Sequence, residues 1–272
     1  MTIFLVDEYF TLKVMDKKNV IVTGALGAIG KAIARQIASI EDYAVTIIAR
    51  DENRAVKIVK ELREATGNPD IDYLLADLSR EADIRKISER WDKPLDILMN
   101  NAATTPRQRM ETPEGIEMQW ATNVLGYVWM IRYFKDHLAK AGSARVVNVA
   151  SYWAGGLDLD DLEFKRHHYD NDTAYRQSKQ ADRMLTVGFA ESLKDEGITV
   201  NAAHPGDVNS KLSNNLGYGG HESPDEGADT PVWIATSPEL EGITGKYFEN
   251  RRQVSCRFGE DREAVKRLME ML

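Results

Sequence analysis

The chain has 272 residues, 43% of them hydrophobic and 29% charged, a composition that suits one large α/β domain and gives no ground for extended disorder. Its net charge of -8 argues against non-specific binding to nucleic acid or anionic lipid. The single cysteine, Cys256, excludes an intramolecular disulfide and suits a reducing compartment such as the cytoplasm.

Residues 1–17 read as a lead-in. Their apolar run breaks at Asp7 and Glu8, too short and too charged for a membrane span, and no basic region precedes it as in a signal peptide. Short β-type runs then alternate with helical patterns. Strands are expected over 19–23, 44–49, 71–75, 95–99, 144–149 and 198–203, and helices over 29–40, 54–65, 81–91, 114–140 and 172–195. That alternation predicts right-handed crossovers and a parallel sheet covered on both faces. The fold class is therefore α/β, a doubly wound Rossmann sheet, in one domain over 18–272. Residues 205–228 carry few large apolar side chains and read as a mobile loop, with the part setting substrate choice at about 207–229.

The first strand runs into Thr23-Gly24-Ala25-Leu26-Gly27-Ala28-Ile29-Gly30 and then a helix, the context a dinucleotide fingerprint needs. Gly24 suits the tight turn, Gly27 the approach to a pyrophosphate, and Gly30 close helix–strand packing. Leu26, Ala28 and Ile29 complete this turn, whose helix N-terminus favours phosphate. An ordinary tight βα turn would use similar residues. Arg50 follows the second strand where an acidic residue would bind the ribose of NAD, so Arg50, with Arg54, favours the 2′-phosphate of NADP(H) over NAD(H). Asp51 could also stand near the ribose. Asp77 and Leu78 follow the third strand, where Asp77 suits either adenine or an N-cap. Asn100-Asn101-Ala102-Ala103 follows the fourth strand. Small residues there admit a cofactor, and the asparagines can tie down the loop.

Tyr175 and Lys179 share a face of a predicted helix. An ammonium near a phenol favours the phenolate and brings it towards working range. The spacing alone is weak, because Tyr9 and Lys13 have it too; only the second pair follows a nucleotide unit and a strand-end hydroxyl, Ser151. Ser151 can orient a substrate oxygen or cap a turn. Asn123, among apolar residues of a helical pattern, needs a partner if buried, and can bend the helix or hold a water. Tyr152 and Trp153 follow Ser151 and can line a substrate pocket or pack the long segment that leads to Tyr175.

The runs TGALGAIG, NNAA, ATNVLG, VNVAS, AYRQSKQAD and HPGDVNS occur in the order of the short-chain dehydrogenase/reductase family, and the chain most resembles its retinol-dehydrogenase-like branch from Lys18 to about Phe248. The resemblance implies a tetrad of Asn123, Ser151, Tyr175 and Lys179. Tyr175 would exchange a proton with the substrate oxygen and Ser151 would orient it. Lys179 would lower the tyrosine pKa and bind the nicotinamide ribose, and Asn123 would hold a relay water. Pro205, Gly206, Val208 and Ser210 would line the nicotinamide side. The resemblance also implies a homodimer or homotetramer paired through the helices around 114–140 and 172–195. The implied activity is NADP(H)-dependent carbonyl reduction or alcohol oxidation on a small-molecule substrate. The Gly24–Gly27–Gly30 spacing, with Ala28 and Ala103 at usual glycine positions, also resembles the extended branch, leaving a sugar-nucleotide epimerase or dehydratase as an alternative. A non-catalytic NADP-sensing or scaffold protein of the same fold is a third. The lead-in lacks the anchor common in retinol dehydrogenases, so a retinoid substrate is not implied. His167, His168 and the acids at 158–163 have no metal-ligand spacing and read as a solvated loop, so no metal is expected; His204 reads as structural.

Overall fold

The computed structural model describes residues 17–272, so the Tyr9–Lys13 pair and nearly all of the lead-in lie outside the described residues. Eight strands form one sheet in the order β3-β2-β1-β4-β5-β6-β7-β8. They are β1 (Lys18–Thr23), β2 (Tyr43–Ala49), β3 (Ile71–Leu75), β4 (Ile97–Asn100), β5 (Ala144–Val149), β6 (Ile198–Ala203), β7 (Tyr247–Glu249) and β8 (Arg252–Val254). All neighbours pair in parallel except β7 and β8. The order reverses between β1 and β4, which opens a crevice at the carboxyl ends of the strands, where ligands bind in such sheets.

Period-two alternation within the strands explains the layers. Ile21, Leu98 and Val146 point into one core with helices α3 (Glu81–Arg90), α4 (Gly126–Lys140), α5 (Asn171–Ser192) and α9 (Arg262–Glu270). Val20, Val22, Met99 and Val147 point into the other, with α1 (Ala28–Ala38), α2 (Glu52–Thr66) and α7 (Pro224–Thr236). Every expected strand and helix is found, with ends shifted. The helix expected from 114 starts instead as a π-helical turn, Trp120–Leu125, that runs into α4.

Residues 205–228 are not the open loop their composition suggested. They hold a short helix, α6 (Lys211–Asn215), and the start of α7. Ser223 and Glu226 form a capping box, with Pro224 in the first turn of α7. Replacing Ser223 by alanine removes the cap on Glu226 N–H and should cost about 1 kcal/mol, read as a lower urea midpoint.

The chain's own C-terminal helices pack on α5, one of the two helices expected to pair across subunits. Helices α8 (Arg257–Glu260) and α9 pack there, and Met269 presses on Gly188, where a Cβ would come within 2.6 Å of its side chain. Among the described residues no helix is long and apolar enough to cross a membrane.

Candidate active site

The glycine turn forms a cradle. Gly24 has φ 69° and packs on the β4 loop, where an added Cβ would lie 2.7 Å from Ala102 Cα. A Cβ on Gly30 would come within 2.5 Å of Asn101 Nδ2 and closer still to the Gly24 carbonyl oxygen. Gly27 is exposed, and a Cβ there would meet only that same oxygen, at 3.3 Å. Two glycines thus serve internal packing and the third keeps the outer face open. Gly27 ends the turn without a side-chain cap, so first-turn N–H groups of α1, from Ala28 and Ile29, remain available to a phosphate. Gly30→Ala should destabilise the fold by about 1–3 kcal/mol, because the nearest obstacle is backbone, and should weaken nucleotide binding in a fluorescence titration.

Thr23 ties this turn to the β4 loop. Its Oγ1 donates to the Met99 carbonyl at 3.1 Å and accepts from the N–H groups of Asn101 and Ala102 at 2.8 and 3.1 Å. Asn101 Nδ2 returns a bond to the Thr23 carbonyl at 2.9 Å, and Ala103 beyond it is half-buried. Arg50 is exposed at the end of β2 and forms no ion pair among the described residues. Asp51 is engaged instead as the N-cap of α2, accepting from Arg54 N–H at 3.0 Å, while Arg54 Nη2 reaches the Leu26 carbonyl at 3.2 Å. Asp77 does not cap α3, whose N-cap is Arg80. Its Oδ1 accepts from the N–H and hydroxyl of Ser79 at 3.0 and 2.7 Å, and Leu78 packs on the core.

A cavity of about 450 Å³ lies beside the crevice. Ser151 and Tyr175 line it together with Ile29, Tyr152, Trp153, Pro205, Gly206, Val208 and Ser210, so residues far apart in sequence meet there. Residues of α6 and after it (Leu212, Leu216 and Tyr218) close its far side. Asp172 Oδ1 ties that wall together, accepting from Trp153 Nε1 at 3.0 Å and from the Tyr218 hydroxyl at 2.7 Å. Tyr152 donates to Asp207 Oδ2 at 3.4 Å and meets His204 edge-on, with ring centroids 4.6 Å apart. Burial pushes the His204 imidazole down to about 4, so it is neutral at physiological pH. His204 lines the cavity, a place its neighbour Pro205 hinted at but its sequence context did not assign.

Burial pushes the Tyr175 phenol up to about 12, with the neighbouring Ser151 hydroxyl acting the other way. Lys179 is buried behind the tyrosine, its Nζ 5.9 Å from the Tyr175 ring centroid. The ammonium donates to the Val149 carbonyl at 2.9 Å and to Asp182 Oδ2 at 2.8 Å, so its charge is met by a carboxylate rather than by the phenol. Asp182 was not singled out from the sequence, although a carboxylate three residues beyond the lysine shares its helix face. Asn123, in the π-helical turn, accepts from Thr104 N–H at 2.8 Å and donates to the Thr104 carbonyl at 3.1 Å and to Ser178 Oγ at 3.2 Å. It is a satisfied buried amide that pins the β4 loop to α5.

The loop with His167 and His168 is organised by Asp161. Burial raises its carboxyl, but bonds from three backbone N–H groups and from His167 outweigh this and hold it at about 2. Among the described residues no group of three or more His, Cys, Asp or Glu side chains could hold a metal ion.

A doubly wound sheet with a glycine cradle at its switch point and a Ser–Tyr pair beside it defines a nucleotide-dependent dehydrogenase scaffold. The family model for the short chain dehydrogenase matches residues 18–219. Mouse (Mus musculus) retinol dehydrogenase 13 is 32% identical, over 92% of this chain and 81% of its own length. A crystal structure of an uncharacterized protein from Mycobacterium paratuberculosis superposes with a TM-score of 0.80 at 23% identity, covering 94% of this chain and 92% of that one. A short chain dehydrogenase from Burkholderia cenocepacia in complex with NADP superposes with a TM-score of 0.69 at 25% identity, covering 86% of this chain and 96% of that one. The chain belongs to the short-chain dehydrogenase/reductase family, in its retinol-dehydrogenase-like branch.

Proposed function

We propose that this protein is an NADP(H)-dependent reductase of aldehydes or ketones with an apolar body, running the reverse alcohol oxidation when conditions favour it. The observation that carries the reading is the Tyr175 hydroxyl beside Ser151 on the wall of a half-open cavity next to the glycine cradle. Ile29, Leu212, Leu216 and the Trp153 and Tyr218 rings supply apolar lining. Ser151 Oγ, already an acceptor from Trp153 N–H at 3.1 Å, keeps its own proton to donate to a substrate oxygen. Tyr175, held protonated by burial, donates its proton to that oxygen as charge develops on it. When bound, the nicotinamide supplies the hydride to the substrate carbon.

Asp51 is occupied as a helix cap, so Arg50, without an ion pair among the described residues, is the charge at the place where a ribose 2′-substituent would lie. This supports NADP(H), as does the NADP bound to the Burkholderia relative. The first experiment is a titration of the protein with NADPH and NADH, followed by nicotinamide fluorescence. NADPH should bind at least about tenfold tighter, and Arg50→Ala should narrow that ratio by about tenfold, as expected for one charge-assisted contact to phosphate. Preference for NADH in the wild type would overturn the assignment of Arg50. Turnover of apolar aldehydes by the wild type would exclude the non-catalytic reading.

A further inference from the structure

A second cavity, of about 370 Å³, adjoins the catalytic one, and the Tyr152 side chain lines both. Its other walls are Ala154, Arg183, Ser255, Arg257 and Phe258. Arg183 lies on α5 two helical steps of four beyond Tyr175, roughly 12 Å further along the axis and on a neighbouring face.

Arg183 is only 7% exposed. A guanidinium taken out of water needs a compensating charge or a full set of acceptors. Among the described residues Arg183 forms no ion pair. Its Nε donates to Cys256 Sγ at 3.4 Å, a weak acceptor. Its guanidinium carbon lies 3.6 Å from the Tyr247 ring centroid and 5.0 Å from that of Phe258. Aromatic faces thus fix the fork, and the two terminal nitrogens, which make no hydrogen bond among the described residues, are left for a planar acceptor. Arg257 adds a second positive charge, 4.9 Å from the Phe258 ring. Three carboxylates stand near. Glu249 bears on the Tyr247 hydroxyl, Glu260 accepts from Ser255 Oγ at 2.7 Å, and Asp207 accepts from the Tyr152 hydroxyl at 3.4 Å; none reaches Arg183 as an ion pair.

We propose that this cavity holds the carboxylate of the substrate, making the preferred substrate an elongated oxo acid (or the matching hydroxy acid) whose carbonyl end reaches Tyr175. The inference rests on the carbonyl-reductase reading above for the reaction, but not for the anion site itself. Tyr152, between the two cavities, would pack along the spacer.

The test compares azelaic semialdehyde with nonanal, the same carbon skeleton without the carboxylate, as NADPH-dependent substrates. The wild type should show a kcat/KM at least about tenfold higher for the acid, as expected for one bidentate charge-assisted contact. Arg183→Met should bring the ratio to about one, and Arg257→Gln, at an exposed position, should lower it about threefold. Equal kcat/KM in the wild type overturns the proposal, as does a ratio that survives both substitutions. If Arg183→Met does not fold, the ratio measured for Arg257→Gln decides. If neither aldehyde is turned over, the reductase reading fails and azelate, an unreactive dicarboxylate, tests the cavity alone. A rise in melting temperature with azelate that Arg257→Gln diminishes supports the carboxylate site, and no rise overturns it. Stabilisation by azelate or by inorganic phosphate, with a substrate ratio of one, would assign the cavity to a separate anion and overturn the substrate assignment.

Discussion

Replacing Tyr175 by phenylalanine is expected to lower turnover of an accepted aldehyde by roughly 10²–10⁴-fold while leaving NADPH binding within about threefold of the wild type. The substitution removes one hydroxyl, and the neighbouring Ser151 keeps its bond from Trp153 N–H, so stability should change by no more than about 1 kcal/mol. The pH profile carries a second expectation. A general acid works while it is protonated, and burial holds the Tyr175 phenol up at about 12. Reduction should therefore stay level from roughly pH 6 to 9 and decline only on the alkaline side. Alcohol oxidation needs the phenolate and should rise over the same alkaline range. Steady-state rates in both directions across that range give the profile. A variant that retains wild-type turnover would remove Tyr175 from the chemistry.

Much of this was legible in the sequence, and the divide has a physical basis. Strands buried on both faces, such as β1 and β4, read as apolar runs, and the alternation of β1 to β6 with helices set the sheet type. The glycine turn was legible because Gly24 and Gly30 answer backbone constraints that few other residues meet. The region after residue 205 was misread because Gly and Asn dominate its composition, yet Ser223 and Glu226 carried a capping-box signal at the head of α7. The C-terminal cover over α5 was unreadable. Nothing local says which helix face Met269 will meet, and the burial of Arg183 depends wholly on Tyr247 and Phe258 arriving from the chain's end. The role of Lys179 was half legible: its place behind Tyr175 followed from helical spacing, but its pairing with Asp182 depends on how deeply both are buried.

That pairing sets the second large effect. Lys179→Met should abolish turnover to a degree similar to Tyr175→Phe and, unlike it, should destabilise the fold in a pH-dependent way. Lys179 and Asp182 are buried together, with Asp182 Oδ1 lacking any other partner among the described residues. Burial pushes the Asp182 carboxyl up from 3.8 to about 6 even against the lysine charge. The folded protein therefore keeps a proton on Asp182 that the unfolded chain has released. This contribution to stability is complete below pH 3.8 and is lost as pH rises through about 6. In the wild type the loss stops there, because the ammonium accepts the ionised carboxylate. In Lys179→Met the carboxyl is raised further, and the loss continues with increasing pH. The deficit relative to wild type should be small near pH 5 and grow to about 3–5 kcal/mol by pH 8, the range found when one partner of a buried pair is removed. Adding Asp182→Leu should abolish the pH slope and restore most of the stability, because an apolar pair of similar volume often matches a buried ion pair. Activity should not return. Denaturant melts of the wild type and both variants at pH 5 and pH 8 decide the matter, and a deficit independent of pH would show that Asp182 does not depend on Lys179 to carry its charge.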